Sequence, residues 1–258
     1  MDIRFSKNEG FLAFIEQVTS ARSVEEVWSC LVDKMHEYEF DRLIYGYTRY
    51  KTATSFGNMQ DILLMTTQSP EYMREFIDNG LYAHAPMVRW ARENDGACSW
   101  SWMEQNLDSF SPSELMVLEF NQRMGVTAGY SISFPETSSR AKGGIALTAK
   151  VGLSQAEIDA VWDLHGREIL VMNQVAHLAM MSLPQETGRK TLTARQREAL
   201  QWVGDGKTTQ DIAMLMGLTP ATVEKHLKLA RDVLDAETTA QAVLKAAVIN
   251  QIYVLEAG

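Results

Sequence analysis

The sequence predicts an α+β protein: an N-terminal α/β/α sandwich around an antiparallel sheet, followed by a C-terminal all-α helix-turn-helix domain. Segments typical of strands follow one another along the chain, and helical segments stand at both ends of that region, which favours antiparallel pairing over a doubly wound fold. Near the end of the chain, residues 207–232 resemble two short helices joined by a tight turn. A length of 258 residues with 46% hydrophobic content fits two packed domains.

The first elements are predicted from periodicity and capping. Helical spacing opens the chain over residues 11–18, and a second helix is expected after Ser23, with Glu26 completing a capping box. Segments 42–50 and 61–67 are rich in β-branched and aromatic residues and are predicted as strands.

The remaining N-terminal elements follow from turn residues and alternation. They are helices over 69–80 and 87–94, an extended segment over 98–102, a helix over 111–124, strands over 128–134 and 144–150, and a long helix from Ser154 to about Met181. A polar segment with proline and glycine, residues 183–190, is the predicted linker. The domains are therefore expected at 1–182 and 191–258.

Charge and cysteine content limit the classes of function. The net charge is −9, but the chain from Arg189 onward holds nine basic and eight acidic residues, so the acidity belongs to the N-terminal domain. Cys30 and Cys98 are too few for a disulfide scaffold and lack metal-ligand spacing, so no metal or cofactor is expected. With no leader-like or membrane-spanning stretch, a cytoplasmic protein without membrane contact is expected.

No catalytic constellation stands out. Ser131 lacks the glycine pattern of a nucleophile elbow, so an enzyme is not expected.

The stretch from Lys207 to Asp232 carries the clearest local signals. Gly217 is a natural stop for the first helix, and Thr219 with Pro220 marks the start of the second. The second helix has an apolar stripe opposite a charged side, and its stripe consists of Val223, Leu227, Ala230 and Leu234.

The segments LTARQREALQWVGDGKTTQDIA and LTPATVEKHLKLARDVL resemble the DNA-binding domain of the LuxR family. The resemblance implies a four-helix unit whose recognition helix lies in the major groove and whose last helix, residues 239–251, contributes to a homodimer. It also implies double-stranded operator DNA as a partner, and RNA polymerase is a further candidate. The predicted DNA-binding residues are Lys207, Thr222, Glu224, Lys225, Lys228 and Arg231. Glu224 departs from the basic residue often found there; it could accept a hydrogen bond from cytosine or be repelled by phosphates.

Residues 43–150 resemble the autoinducer-binding domain of the quorum-sensing branch, chiefly through SPEYMREFIDNGLYAHAPMVRWARENDGACSWSW and GVTAGYSI. This implies a small-molecule effector such as an acyl-homoserine lactone. The predicted ligand-binding residues are Tyr45, Tyr72, Phe76, Ala85, Trp100, Gly129 and Ser131.

Three of these positions depart from the family pattern. Tyr72 replaces a tryptophan that donates to the lactone carbonyl, Phe76 replaces a tyrosine, and Ala85 replaces the aspartate that accepts from the ligand amide. A charge-assisted hydrogen bond of that kind contributes about 1.5 to 3 kcal/mol, and alanine cannot supply it. The expected ligand is thus an acyl-homoserine lactone held differently, another amphipathic molecule, or none.

These observations predict a transcriptional regulator of the quorum-sensing LuxR type, controlled by a small molecule in its N-terminal domain. The alternative is a ligand-independent regulator, or an anti-activator that forms heterodimers with a related regulator.

Overall fold

The structure is a computed structural model that describes residues 3–185 and 191–252. The chain divides into two compact units, Met1–Ala179 and Met180–Gly258. Part of the predicted linker lies outside the described residues, so the linker and the domain limits stay predictions.

The first unit contains a five-stranded sheet and most of the helices. Its elements are α1 Ile3–Ser20, α2 Val24–His36, β1 Phe40–Thr48, β2 Leu63–Thr66, α3 Pro70–Met73, α4 Pro86–Glu93, β3 Gly96–Ser99, α5 Ser101–Gln105, α6 Pro112–Arg123, β4 Gly129–Phe134 and β5 Lys142–Ala149. Helix α7, Gln155–Ser182, begins in this unit and ends three residues beyond its limit at Ala179. Helix α3 continues into a π-helical turn, Arg74–Asp78. Short 3-10 helices occupy Met59–Asp61, Leu81–His84 and Leu107–Ser109.

All strand pairs in the sheet are antiparallel, in the order β2-β1-β5-β4-β3. The central register places Ile44 opposite Ala146 and Ala146 opposite Ser131, so these side chains share one face. Helices α2 and α7 cover the other face. The predicted α+β architecture with an antiparallel sheet is confirmed.

Local differences from the sequence prediction are small, with one exception. The extended segment predicted over 98–102 is wrong beyond Ser99, because Trp102 lies in α5. The alternation of tryptophan and serine is also compatible with a strand that ends in a short helix. Each tryptophan then packs against a different neighbour, Trp102 against Phe110 and Trp100 against β4. Helix α1 begins at Ile3, before the periodic segment that predicted it.

The second unit is helical, with α8 Ala194–Gly204, α9 Thr209–Met216, α10 Pro220–Leu234 and α11 Thr239–Val248. The Thr208 side chain and backbone N-H bond to Asp211, which closes a capping box at α9 and lowers the pKa of the Asp211 carboxyl. Gly217 ends α9 in the left-handed conformation, and Thr219 caps α10. The predicted apolar stripe of α10 is fully buried. In the described ranges no helix is long and apolar enough to cross a membrane.

Candidate functional site

A cavity lies between the sheet and the segment from α3 to α6. Its floor is formed by β1 and β5, where Ile44, Gly46 and Ala146 face inward. Its walls are largely apolar and aromatic, which is typical of sites for small organic ligands. The wall residues include Phe56, Met59, Ile62, Tyr72, Phe76, Tyr82, Met87, Val88, Trp100, Met103 and Val126.

An aromatic cluster contributes Tyr72 and Phe76 to the wall of this cavity. The rings of Phe76 and Phe120 each lie 5.2 Å from the Tyr72 ring. The Tyr72 hydroxyl donates to Asn121 Oδ1 at 2.9 Å, and burial raises the pKa of Tyr72, an effect that nearby Arg42 only partly offsets. Tyr72 is therefore neutral and acts as a fixed donor to Asn121.

Trp100 and Ser131 form a second polar point in the cavity. Trp100 Nε1 donates to Ser131 Oγ at 3.0 Å. A hydroxyl that accepts one hydrogen bond still carries a proton to donate, so Ser131 can bind a ligand carbonyl. Gly129 does not line the cavity; a Cβ there would overlap the Leu147 carbonyl oxygen and lie 3.0 Å from the Trp100 ring. Gly129 thus positions Trp100 by close packing.

Ala85 lines the cavity and is the N-cap residue of α4, with no side-chain cap. It is 6% exposed, so a ligand near it would be shielded from water. None of the cavity-lining residues in the described chain is an aspartate or glutamate. The lining cation, Lys142, already bonds to Asp95 Oδ1 at 2.6 Å and to the Asn94 carbonyl at 2.9 Å. The cavity therefore offers neutral hydrogen-bonding groups and no carboxylate.

Tyr45 is a correction to the predicted pocket. It lies on the opposite face of the sheet, where its hydroxyl and His177 Nδ1 share a hydrogen bond of 2.8 Å. His177 in turn bonds to Glu136 at 3.1 Å and stacks on Phe134. Tyr45 follows Ile44, whose side chain points to the cavity, and strand alternation therefore turns Tyr45 away.

The structure brings five of the seven predicted ligand-binding residues to the cavity: Tyr72, Phe76, Ala85, Trp100 and Ser131. Sequence reasoning missed Asn121 and Gln68, which also line it. Gln68 Nε2 donates to Thr148 Oγ1 at 3.4 Å. Neither has a local sequence signal, because each depends on a partner distant in the chain.

The second unit presents a charged surface along α10. Glu224, Lys225 and Lys228 are exposed on that helix, and Lys207 is exposed just before α9. Thr222 is half-buried, and its hydroxyl bonds with Thr219 Oγ1 at 2.9 Å.

Arg231 is placed differently from the other predicted DNA-binding residues. Its Nη1 donates to Thr239 Oγ1 at 2.8 Å, so the partly buried guanidinium joins α10 to α11. This correction removes Arg231 from the exposed set.

Two known protein families match the two units of this chain. The family described as the autoinducer-binding domain matches residues 23–180, and that described as bacterial regulatory proteins of the luxR family matches residues 190–246. The chain belongs to the LuxR family. It is a transcriptional regulator of the LuxR quorum-sensing type, with ligand-controlled regulation favoured over the alternative of a ligand-independent or heterodimerising protein.

Several members of this family resemble the chain over most of its length. RpaR of Rhodopseudomonas palustris, a quorum sensing-dependent transcriptional regulator, is 38% identical over 211 residues, covering 80% of this chain and 83% of RpaR. The transcriptional activator LuxR of Aliivibrio fischeri is 24% identical over 247 residues, or 92% of each chain.

Solved LuxR-family structures share the fold. SdiA of Escherichia coli has a TM-score of 0.52 at 18% identity, covering 97% of this chain and 99% of SdiA. A structure of SdiA in complex with octanoyl-rac-glycerol has a TM-score of 0.53 at 16% identity, covering 99% and 100%.

Proposed function

We propose that this LuxR-family regulator binds an uncharged, elongated amphipathic molecule in its N-terminal cavity and operator DNA through α10. The regulator would act in the cytoplasm as a homodimer, without catalysis, and RNA polymerase is a further proposed partner. The observation that carries the ligand proposal is the lining of the cavity. It is apolar and aromatic with neutral hydrogen-bonding groups, its one described cation, Lys142, is paired with Asp95, and no carboxylate is among the described lining residues.

The polar groups assign an orientation to the ligand. Ser131, bonded to Trp100, and Asn121, bonded to Tyr72, can each donate to a ligand carbonyl, because Ser131 retains its hydroxyl proton and Asn121 its amide protons. The acyl part would extend along β5 toward Phe56 and Met59, which are apolar. A ligand carbonyl is therefore recognised, whereas an amide N-H has no charged acceptor at Ala85.

This proposal predicts how the protein treats an amide and its ester. The purified full chain is titrated with N-octanoyl-homoserine lactone and with the analogue whose amide N-H is replaced by oxygen. The two should bind the native protein with similar affinity. In the Ala85→Asp variant the amide should bind about tenfold more tightly than the ester, since a charge-assisted hydrogen bond contributes about 1.5 kcal/mol or more.

Ala85→Asn is the matched control. Asparagine and aspartate have nearly the same size and both cap helices well, so each can cap α4. Only the carboxylate should produce the strong preference for the amide.

Octanoyl-rac-glycerol is the third probe. If none of the three probes binds while the protein still binds DNA, the ligand part of the proposal is overturned.

The DNA part has its own test. Ligand burial would favour one arrangement of the homodimer and so fix the spacing of its two recognition helices, about 34 Å for half-sites one turn apart. Duplexes selected by the full chain should therefore be palindromic. Selection of sites without twofold symmetry would contradict the homodimer.

A further inference from the structure

Glu224 stands on the exposed side of α10, in its N-terminal half. The buried stripe fixes the rotation of the helix, so the neighbouring Lys225 and Lys228 are exposed with it. In helix-turn-helix proteins the N-terminal residues of the second helix contact base edges. An acidic residue at such a position is repelled by the phosphates of DNA. Its presence is favourable only if the carboxylate accepts a hydrogen bond from a base.

The Glu224 carboxylate is held in place from the other helix of the motif. Thr209 Oγ1 donates to Glu224 Oε1 at 3.0 Å. Thr209 is the first residue of α9, so this hydrogen bond crosses the turn between α9 and α10. A free glutamate would lose conformational entropy when it docks on a base, and the bond to Thr209 reduces that loss beforehand.

The Glu224 carboxylate is not held by an ion pair with a neighbouring lysine on the surface of α10. Lys228 lies four residues further along α10, a spacing that favours ion pairs. Nevertheless, none of the ion pairs within residues 3–185 and 191–252 includes Glu224, and its side chain bonds to Thr209 instead. An ionised carboxylate has about four acceptor positions, so one bond to Thr209 leaves Glu224 able to accept from a base.

Resting on the proposed binding of α10 in the major groove, we propose that Glu224 selects a C·G pair in each half-site. Cytosine offers the N4 amino group as a donor there, whereas guanine offers N7 and O6 and thymine offers O4, which are acceptors that repel a carboxylate. Adenine offers a donor beside an acceptor and is disfavoured. Thr209 is the positioning residue that aims Glu224.

The test is selection from a random duplex pool by the full chain, purified with any co-purifying small molecules retained. The native protein should select cytosine at one position of each half-site. Glu224→Ala should lower the preference there by about tenfold, the usual discrimination of one base contact. Glu224→Gln should shift the preference to adenine, which glutamine contacts through N6 and N7.

The Thr209 variants test the positioning. Thr209→Val has nearly the same shape without the hydroxyl and should reduce the cytosine preference severalfold, while Thr209→Ser should retain it. A valine variant with the native preference would overturn the assignment of Thr209.

Asp232→Asn is the charge-matched control, because it changes the charge of α10 by the same amount at an exposed position near the other end of the helix. It should raise affinity for all duplexes alike. If Glu224→Gln does the same and leaves base preference unchanged, Glu224 acts only by repulsion and the inference is overturned. If the native chain selects no duplex at all, the proposed function itself fails.

Discussion

Replacing Gly129 with alanine is expected to lower the free energy of unfolding by about 3 kcal/mol, the upper part of the range for overpacked sites. The added Cβ would overlap the Leu147 carbonyl oxygen and meet the Trp100 ring at 3.0 Å. The carbonyl belongs to β5 and cannot rotate away, so β4 and β5 would have to separate locally. Denaturant unfolding of the full chain measures this change.

The same substitution should also impair ligand binding. Displacement of Trp100 would break the hydrogen bond of its Nε1 to Ser131, and the cavity would lose both its aromatic wall and the fixed hydroxyl. The matched control for the unfolding measurement is Gly46→Ala, where an added Cβ has no described heavy atom within 4 Å. If Gly129→Ala unfolds like Gly46→Ala, the close packing at Gly129 is contradicted.

Joint replacement of Lys225 and Lys228 by alanine is expected to weaken operator binding at least a hundredfold, because each charge-assisted contact to a phosphate contributes about 1.5 kcal/mol or more. Both side chains are exposed on α10, so folding should be unaffected. Each phosphate contact releases counterions, and the slope of log K against log salt should fall in magnitude by about 0.9 for every lysine removed. Mobility shifts at several salt concentrations measure both quantities.

Lys150→Ala is the control for a general effect of charge. Lys150 pairs with Glu39 on the N-terminal unit and should leave the salt slope unchanged. An unaltered slope in the double variant of α10 would show that this helix does not contact phosphates.

The helix-turn-helix could be predicted in detail because its signals are local. The bond between Thr208 and Asp211, the left-handed Gly217 and the cap at Thr219 each involve residues within a few positions of one another. The place of Arg231 could not be predicted in this way, because its bond to Thr239 depends on how α11 packs against α10.

The cavity was only partly predictable for a related reason. Strand β1 has apolar residues in succession at Leu43, Ile44 and Tyr45, so the sequence does not reveal that Ile44 faces the cavity and Tyr45 faces α7. Asn121 became part of the site only through Tyr72, 49 residues earlier in the chain. The departure of Ala85 from the family pattern, by contrast, could be seen in the sequence because Pro86 follows it directly.

The floor of the cavity at Gly46 has a consequence for the length of the ligand. A methyl group placed there occupies empty space and contacts no described atom within 4 Å, so the depth of the cavity can change without a loss of packing. If the cavity binds the ligand proposed above, the single substitution Gly46→Ala is expected to favour ligands with shorter chains at little cost in stability.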